Sequence, residues 1–223
     1  MRRGQRHSPE FDLASDRARA LALTPVSRET AERLDMFVDC LMRWQKTTNL
    51  IAVSTLPELW TRHIADSLQL VALAPAANVW IDLGSGAGFP GLVVACALAD
   101  RVDARVHLVE SNAKKAAFLR EAARVTGAPA SIHNARIEDF IPSFKGPVDV
   151  VTARGLAPLT VLLGYVETLV KSGAQALLLK GQDIEAELTE AARCWRIDCS
   201  LVPSRTAALS KIVNIRGLES RKG

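Results

Sequence analysis

Residues 79–91 read Val-Trp-Ile-Asp-Leu-Gly-Ser-Gly-Ala-Gly-Phe-Pro-Gly, and this stretch decides the fold. Its first residues are mostly apolar, as expected of a buried parallel strand. A glycine-rich turn follows, and an apolar run then resumes from Leu92 to Leu98. Glycine has no Cβ and tolerates positive φ, so the backbone of such a turn can approach a ligand closely. We therefore predict a strand, a tight turn and a helix that begins near Pro90.

The spacing of the glycines indicates the kind of ligand. The dinucleotide fingerprint G-x-G-x-x-G fails from Gly84, because Phe89 occupies its last position. It fits from Gly86, but the turn would then begin three residues past the strand. The pattern Asp82-x-Gly-x-Gly-x-Gly instead resembles motif I of the class I S-adenosylmethionine (SAM) methyltransferases. A glycine turn that binds nothing is the structural alternative.

Length and composition predict one substantial α/β domain with an extension. The chain has 223 residues, 48% of them hydrophobic, and a formal net charge of +4, which leans towards nucleic acid. The four cysteines lack C-x-x-C spacing and the four histidines lack metal-ligand spacing. The sequence has no apolar run of membrane-spanning length, and its basic N-terminus lacks the apolar core of a signal peptide. We expect a cytoplasmic monomer with reduced cysteines and no metal.

The first third of the chain is predicted to be helical. Residues 1–26 are expected to be a loosely ordered basic arm, either a solvated tail or a contact for RNA. Ser27 is a candidate N-cap for a helix that runs to about Gln45. Thr55 and Glu58 have the spacing of a capping box for a second helix, which Pro75 ends. We therefore predict a helical cap over residues 27–76.

The remainder, residues 77–223, alternates strands with helices. This order predicts βαβ units with a mostly parallel, Rossmann-like sheet, to which the last two strands add an antiparallel hairpin. Seven strands are expected, near residues 79–82, 105–110, 131–134, 148–153, 174–180, 195–201 and 211–216.

The ligand is expected beyond the carboxyl ends of these strands, where the strand order reverses. We expect the residues at those ends to point into one crevice, and they are Asp82, Glu110, Arg136, Ile137, Glu138, Arg154 and Lys180. Glu110 lies 28 residues after Asp82, where a carboxylate can accept both hydroxyls of a ribose.

Three of the charged side chains allow more than one interpretation. Asp82 could hold the glycine turn through backbone N–H groups, or attract the positive charge of SAM. Arg154 could clamp a carboxylate of the ligand, or pair with Asp82 or Glu138. Arg62 lies four residues before Asp66, and a surface ion pair between them is the local interpretation.

The region after the fourth strand lacks two signatures of methyl acceptors. It lacks the N/D-P-P-Y/F/W run with which amino-group methyltransferases hold an exocyclic amine. It also lacks a Pro-Cys pair, whose cysteine attacks a pyrimidine ring in carbon-5 methylation. Residues 152–155 are instead Thr-Ala-Arg-Gly. This favours an acceptor that is already nucleophilic. Guanine N7 has a free in-plane lone pair, so its methylation needs orientation rather than a general base.

Several motifs together resemble one family, the glucose-inhibited division protein B family, also called ribosomal RNA small-subunit methyltransferase G. The resemblance covers about residues 30–215. It rests on Asn-Leu-Ile-Ala at 49–52, Arg-His-Ile-Ala-Asp-Ser-Leu at 62–68, the glycine motif at 82–91, Val-Glu-Ser at 109–111, Lys-Lys-x-x-Phe-Leu-Arg at 114–120, Val-Thr-Ala-Arg at 151–154 and Leu-Lys-Gly at 179–181.

The resemblance implies SAM-dependent methylation of N7 of one guanine in 16S rRNA of the small ribosomal subunit. It implies a SAM site lined by Gly84, Phe89, Ile137, Glu138 and Arg154, to which the strand-end argument adds Asp82, Gly86 and Glu110. It also makes Arg62, His63 and Asp66 site residues rather than a surface pair. No catalytic base is predicted. Basic residues near the strand ends are candidates for phosphate contact, and they include Arg62, Lys114 and Lys180.

Three rival functions stay open at this point. A nicotinamide oxidoreductase would use Gly86, Gly88 and Gly91. A non-catalytic RNA-binding assembly factor could keep the methyltransferase scaffold, although the intact glycine motif argues against it. A small-molecule methyltransferase would be expected to carry a large inserted substrate domain, which the sequence lacks.

Overall fold

A computed structural model describes residues 12–221 of the chain. Its sheet has seven strands in the order β3-β2-β1-β4-β5-β7-β6. The strands are β1 (Val79–Leu83), β2 (Arg105–Val109), β3 (Ala130–His133), β4 (Val150–Arg154), β5 (Gln175–Lys180), β6 (Trp195–Pro203) and β7 (Lys211–Ser220). The α-helices are α1 (Leu13–Leu23), α2 (Arg28–Gln45), α3 (Asp66–Leu73), α4 (Gly91–Leu98), α5 (Ala113–Thr126), α6 (Ile137–Ser143), α7 (Leu159–Lys171) and α8 (Ile184–Ala191).

The topology agrees with the predicted α/β architecture. Strands β1 to β5 pair in parallel, and β7 lies antiparallel between β5 and β6. Strand β1 is flanked by β2 on one side and β4 on the other, so the order reverses beside it. Open α/β sheets bind ligands at this position, which places the glycine turn after β1 where a ligand site is expected.

Two apolar layers cover the sheet. On one face, Phe37, Trp60 and Ile64 of the N-terminal helical region pack with residues of α4 and α5. On the other face, residues of α6, α7 and α8 pack against the strands. Because both faces are buried, β1 and β5 read as nearly continuous apolar runs, as expected of a parallel sheet. Among the described residues, no helix is long and apolar enough to span a membrane.

The first helix of the predicted cap is confirmed. The Ser27 hydroxyl accepts from the Thr30 N–H, and α2 ends at Gln45. The capping box of the second helix is wrong. Residues Val53–Glu58 form a 3₁₀ helix and Trp60–Ala65 a π-helical segment before α3 begins. The Thr55 hydroxyl donates to the Ala52 carbonyl instead of capping the segment.

The arm expected at residues 1–26 is in part an ordered element. Residues 1–11 lie outside the described range, so the structure gives no account of that part of the prediction. A solvated tail is wrong for the next residues, because they form α1 and dock on the helical region. The Arg17 guanidinium bonds both carboxylate oxygens of Asp35 at 2.6 and 2.8 Å. The predicted boundaries near residues 26 and 76 stay predictions.

Candidate functional site

The glycine turn is held open by its backbone conformation. Gly84, Gly86 and Gly88 have φ of +68°, +55° and +90°, values that L side chains rarely adopt. The N–H groups of Gly84 and Ser85 both donate to the Val109 carbonyl, at 2.9 and 3.0 Å, which ties the turn to the end of β2. A Cβ built on Gly86 would approach only the Gly84 carbonyl oxygen, at 3.7 Å, so one side of the turn is free for a ligand.

Asp82 lies beneath this turn and holds it to α4. One oxygen accepts from the Gly91 N–H at 3.1 Å and the other from the Thr152 hydroxyl at 2.9 Å. The side chain is 1% exposed, and burial raises its pKa to about 6, against the opposing effect of these hydrogen bonds. The structure therefore gives Asp82 the turn-holding role, one of the two roles that the sequence left open.

Glu110 connects the glycine turn to the start of α5. Its two carboxylate oxygens accept from the N–H groups of Gly86 at 2.8 Å and Asn112 at 2.7 Å. Asn112 in turn caps α5, since its side chain accepts from the N–H groups of Lys114 and Lys115. A carboxylate has about four acceptor sites, so Glu110 keeps capacity for a ligand.

Gly84, Gly86 and Glu110 form one wall of a cavity of about 360 Å³, which we call the glycine-loop cavity. It brings together five of the predicted site residues: Gly84, Gly86, Glu110, Ile137 and Glu138. The sequence did not indicate Tyr165 of α7, whose hydroxyl donates to Glu138 at 2.7 Å. This bond lowers the pKa of the Glu138 carboxyl. The only feature of the sequence that could have drawn attention to Tyr165 is that it is the single tyrosine of the chain.

A second cavity of about 360 Å³ lies on the other side of Gly155, which lines both. We call it the arginine cavity. Its lining includes Arg62, His63, Asp66, Arg154, Lys180 and residues of the β6–β7 connection. The predicted site residues thus divide between two adjoining spaces that meet at Gly155, just after the end of β4.

Arg154 is held by residues 62–66 of the helical region. Its Nη2 donates to His63 Nδ1 at 2.8 Å, and its Nη1 donates to the Arg62 carbonyl at 3.2 Å. The same nitrogen lies 3.5 Å from Asp66 Oδ2. These partners replace the pairings with Asp82 or Glu138 that the sequence suggested. Burial lowers the pKa of the guanidinium, although the nearby Asp66 carboxylate opposes this.

His63 is fixed as one tautomer. A guanidinium only donates, so Nδ1 must accept from Arg154, and the proton lies on Nε2, which is 3.0 Å from the Thr55 hydroxyl. Burial, with the Arg154 charge as the second cause, lowers the pKa of His63 to about 3. The ring stacks on Phe89 at 4.9 Å. Phe89 is itself 4% exposed, so it lies behind the cavity wall and supports it.

The expected surface pair between Arg62 and Asp66 is wrong. The Arg62 guanidinium is 4.0 Å from Glu58, whereas Asp66 faces Arg154. The other Asp66 oxygen accepts from the Ser204 and Thr206 hydroxyls at 3.1 and 2.9 Å. Asp66 therefore joins α3, Arg154 and the β6–β7 connection, a role that the spacing of residues in the sequence could not indicate.

The two lysines named for RNA contact differ in their surroundings. The Lys180 ammonium lies 2.7 Å from Glu187 and donates to the Ala157 carbonyl at 3.1 Å. Its side chain is only 11% exposed. Lys114 is exposed in the first turn of α5. The structure thus leaves Lys114 accessible to a phosphate and gives Lys180 internal partners.

Two of the four histidines are brought together on neighbouring strands. His107 Nδ1 lies 3.0 Å from His133 Nε2, between β2 and β3. No third ligand joins them, since within residues 12–221 no group of three or more His, Cys, Asp or Glu side chains could hold a metal ion.

Comparison with known proteins identifies the family. Residues 30–213 match the family described as rRNA small subunit methyltransferase G, GidB. The chain belongs to this family. A relative of that name from Nitrobacter hamburgensis is 64% identical, over 93% of this chain and 80% of its own length. Another, from Bradyrhizobium sp. (strain ORS 278), is 61% identical over 94% and 95%.

The same fold occurs in solved structures. A SAM dependent methyltransferase from Aquifex aeolicus superposes with a TM-score of 0.55 at 14% identity, over 71% of this chain and 92% of its own. Membership and fold together make the chain a SAM-dependent methyltransferase, and the oxidoreductase and assembly-factor alternatives are not favoured. The glycine-loop cavity fits the cofactor chemically, because it offers an open glycine backbone, two carboxylates and the apolar Ile137.

Proposed function

We propose that this methyltransferase transfers the methyl group of SAM to N7 of one guanine in the 16S rRNA of the small ribosomal subunit. The family assignment supports the rRNA substrate. The chemistry of the site supports N7, because the reaction needs no proton acceptor and His63, the histidine in the arginine cavity, already accepts from Arg154.

The adenosine part of SAM is proposed to occupy the glycine-loop cavity. Glu110 would accept from the ribose hydroxyls while it holds the glycine turn, and Ile137 and Glu138 would border the adenine. Gly84 and Gly86 would allow the backbone to approach the cofactor. Asp82 would contribute indirectly, by holding the turn in place.

The acceptor guanine is proposed to enter the arginine cavity. The observation that carries this proposal is that Gly155 lines both cavities, so a donor in one and an acceptor in the other would meet there. Arg154 would clamp the carboxylate of SAM from the acceptor side, bidentately. Arg62 and His63 would border the base. In-line placement alone can supply roughly 7–11 kcal/mol of the barrier reduction at best.

Exposed basic residues are proposed to bind the rRNA backbone. Lys114 and Arg62 are exposed at the carboxyl side of the sheet and have the charge for phosphate contact. We further propose that the protein acts as a monomer in the cytoplasm, where small subunits are found. Light scattering on the purified protein tests the monomer.

The test is methyl transfer from labelled SAM to small subunits taken from a strain that lacks this protein, followed by nucleoside analysis. The expected product is 7-methylguanosine. Label on an adenine or a pyrimidine would overturn the proposed chemistry. A parallel reaction with free 16S rRNA shows which form is the substrate, and absence of label from both, despite SAM binding, would overturn the rRNA substrate.

A further inference from the structure

Asp16 of α1 is a buried carboxylate that belongs to neither cavity. Its side chain is 3% exposed. One oxygen accepts from the N–H groups of Trp60 at 2.8 Å and Thr61 at 3.3 Å. The other accepts from the Thr61 hydroxyl and, at 2.8 Å, from Arg19. Asp16 precedes residues 30–213, the part of the chain that matches the family, so family membership gives it no role.

These contacts lie at the start of the π-helical segment, Trp60–Ala65. The first N–H groups of a helix have no partner within it, and a local Ser, Thr, Asp or Asn commonly supplies one. Here Leu59 precedes the segment and provides no side-chain cap. Asp16 supplies the missing acceptor from 44 residues away. Isolated π-turns occur frequently at functional sites.

The same segment and the first residue of α3 provide all the contacts of Arg154 described above. They are the Arg62 carbonyl, His63 Nδ1 and Asp66 Oδ2. Asp16 is therefore linked, through the backbone of residues 60–63, to the Arg62 carbonyl and the His63 ring that hold the guanidinium in the arginine cavity. A shift of the segment would move these two hydrogen-bond partners of Arg154 together.

We propose that Asp16 is a positioning residue for methyl transfer, which acts by fixing the segment that holds Arg154. This inference rests on the proposed function of the arginine cavity. It also gives α1 a role beyond stability, since the carboxylate fixes the start of the segment, and Arg62 and His63, which follow in the segment, line the arginine cavity. The negative charge of this buried carboxylate is stabilised by Arg19 and by three hydrogen bonds from residues 60 and 61.

The test compares three variants of the full chain. Asp16→Ala removes the acceptors, and Asp16→Asn keeps one of them. Asp35→Ala is the matched control. It removes the carboxylate that binds Arg17 and loosens α1, but it keeps the Asp16 hydrogen bonds to residues 60 and 61 and the Arg17 side chain, which lies 5.3 Å from the centre of the Trp60 ring. Single-turnover methyl transfer to small subunits is measured at saturating SAM, with hydrogen exchange of the Trp60 and Thr61 amides and the melting temperature.

We expect Asp16→Ala to slow transfer about tenfold, which corresponds to one moderately strong interaction in the transition state. Asp16→Asn should recover part of the rate, and Asp35→Ala should stay within about twofold of the wild type even where its melting temperature falls equally. The proposal is overturned when Asp16→Ala transfers the methyl group at the wild-type rate, or when Asp35→Ala lowers that rate as much as Asp16→Ala does.

Hydrogen exchange distinguishes this proposal from the proposed function. When the wild type does not methylate rRNA, the rRNA function fails, but the exchange experiment still applies. Faster exchange at residues 60–66 in Asp16→Ala and not in Asp35→Ala supports the positioning role. Equal exchange in the two variants overturns it, because Asp16 would then act on α1 as a whole.

Discussion

The two cavities are similar in size and differ in how they are built. The glycine-loop cavity is lined mainly by the turns that follow β1, β2, β3 and β4, so most of its residues lie just after strand ends and include a recognisable motif. The arginine cavity gathers residues 62–66, 154–155, 179–187 and 204–212 from separate elements. The proposed cofactor site thus depends on backbone geometry at strand ends, whereas the proposed acceptor side depends on contacts between distant segments.

The largest expected effect is on the arginine cavity. Arg154→Ala should lower the single-turnover rate of methyl transfer by about 100-fold or more. It leaves His63 Nδ1 and the Asp66 carboxylate without their donor, and a hydrogen bond to a charged group contributes about 1.5–3 kcal/mol. Arg154→Lys should be intermediate, because an ammonium lacks the planar fork that reaches both partners. A rate for Arg154→Ala within threefold of wild type would contradict the role given to this cavity.

The pH dependence of stability tests whether His63 is neutral. The pKa of His63 is lowered to about 3 in the folded protein, from 6.5. As pH falls below 6.5 the unfolded chain binds a proton that the folded protein excludes, so stability is lost on acidification. Between pH 7 and pH 5 this loss amounts to at most about 2 kcal/mol.

Chemical denaturation of wild type and His63→Gln at several pH values isolates this effect. The variant lacks the titrating ring. The free energy of unfolding of the wild type, relative to that of the variant, should therefore decrease as pH falls. Asp82 acts in the opposite direction in both proteins, since its pKa is raised to about 6 and the folded state takes up its proton first. Parallel stability curves for the two proteins would show that His63 is not held neutral.

The glycine-loop cavity is tested by a pair of glycine substitutions. Gly86→Ala should weaken SAM binding about tenfold, since the new methyl group enters the cavity and φ of +55° strains it. Gly127→Ala carries the same strain at φ +62° with open space around the Cβ, remote from both cavities. It should cost about 1 kcal/mol of stability and leave the SAM Kd unchanged. Equal SAM affinities in the two variants would remove Gly86 from the cofactor site.

The smallest expected effect concerns the lysines named for RNA contact, Lys114 and Lys180. Lys114→Ala should reduce the slope of log K against log salt concentration for RNA binding by about 0.7–0.9, the value of one phosphate contact. Lys180→Ala should leave that slope unchanged and lower the stability, because it removes the cation beside the Glu187 carboxylate, which keeps only the Leu159 N–H as a partner among the described residues. The reverse pattern would make Lys180 the phosphate contact.

The contrast between the cavities also explains what the sequence could predict. The mostly parallel sheet, the glycine turn and the predicted site residues Glu110, Ile137 and Glu138 follow from periodicity and from residues at strand ends. The partners of Arg154 did not, because His63 lies in the π-helical segment and Asp66 begins α3, and the first amide of that segment donates to Asp16, 44 residues from Trp60. Propensities describe local conformation, whereas these contacts join segments that are distant in sequence.

The division of tasks between the cavities is tested most directly by SAM affinity and single-turnover transfer at saturating SAM, measured on Gly86→Ala and Arg62→Ala. Arg62→Ala removes an exposed side chain of the arginine cavity and keeps the carbonyl that binds Arg154. We predict that Gly86→Ala loses SAM affinity and recovers its rate at saturation, whereas Arg62→Ala keeps SAM affinity and transfers more slowly. The same pattern in both variants would contradict the assignment of Gly86 to the cofactor and of Arg62 to the acceptor guanine.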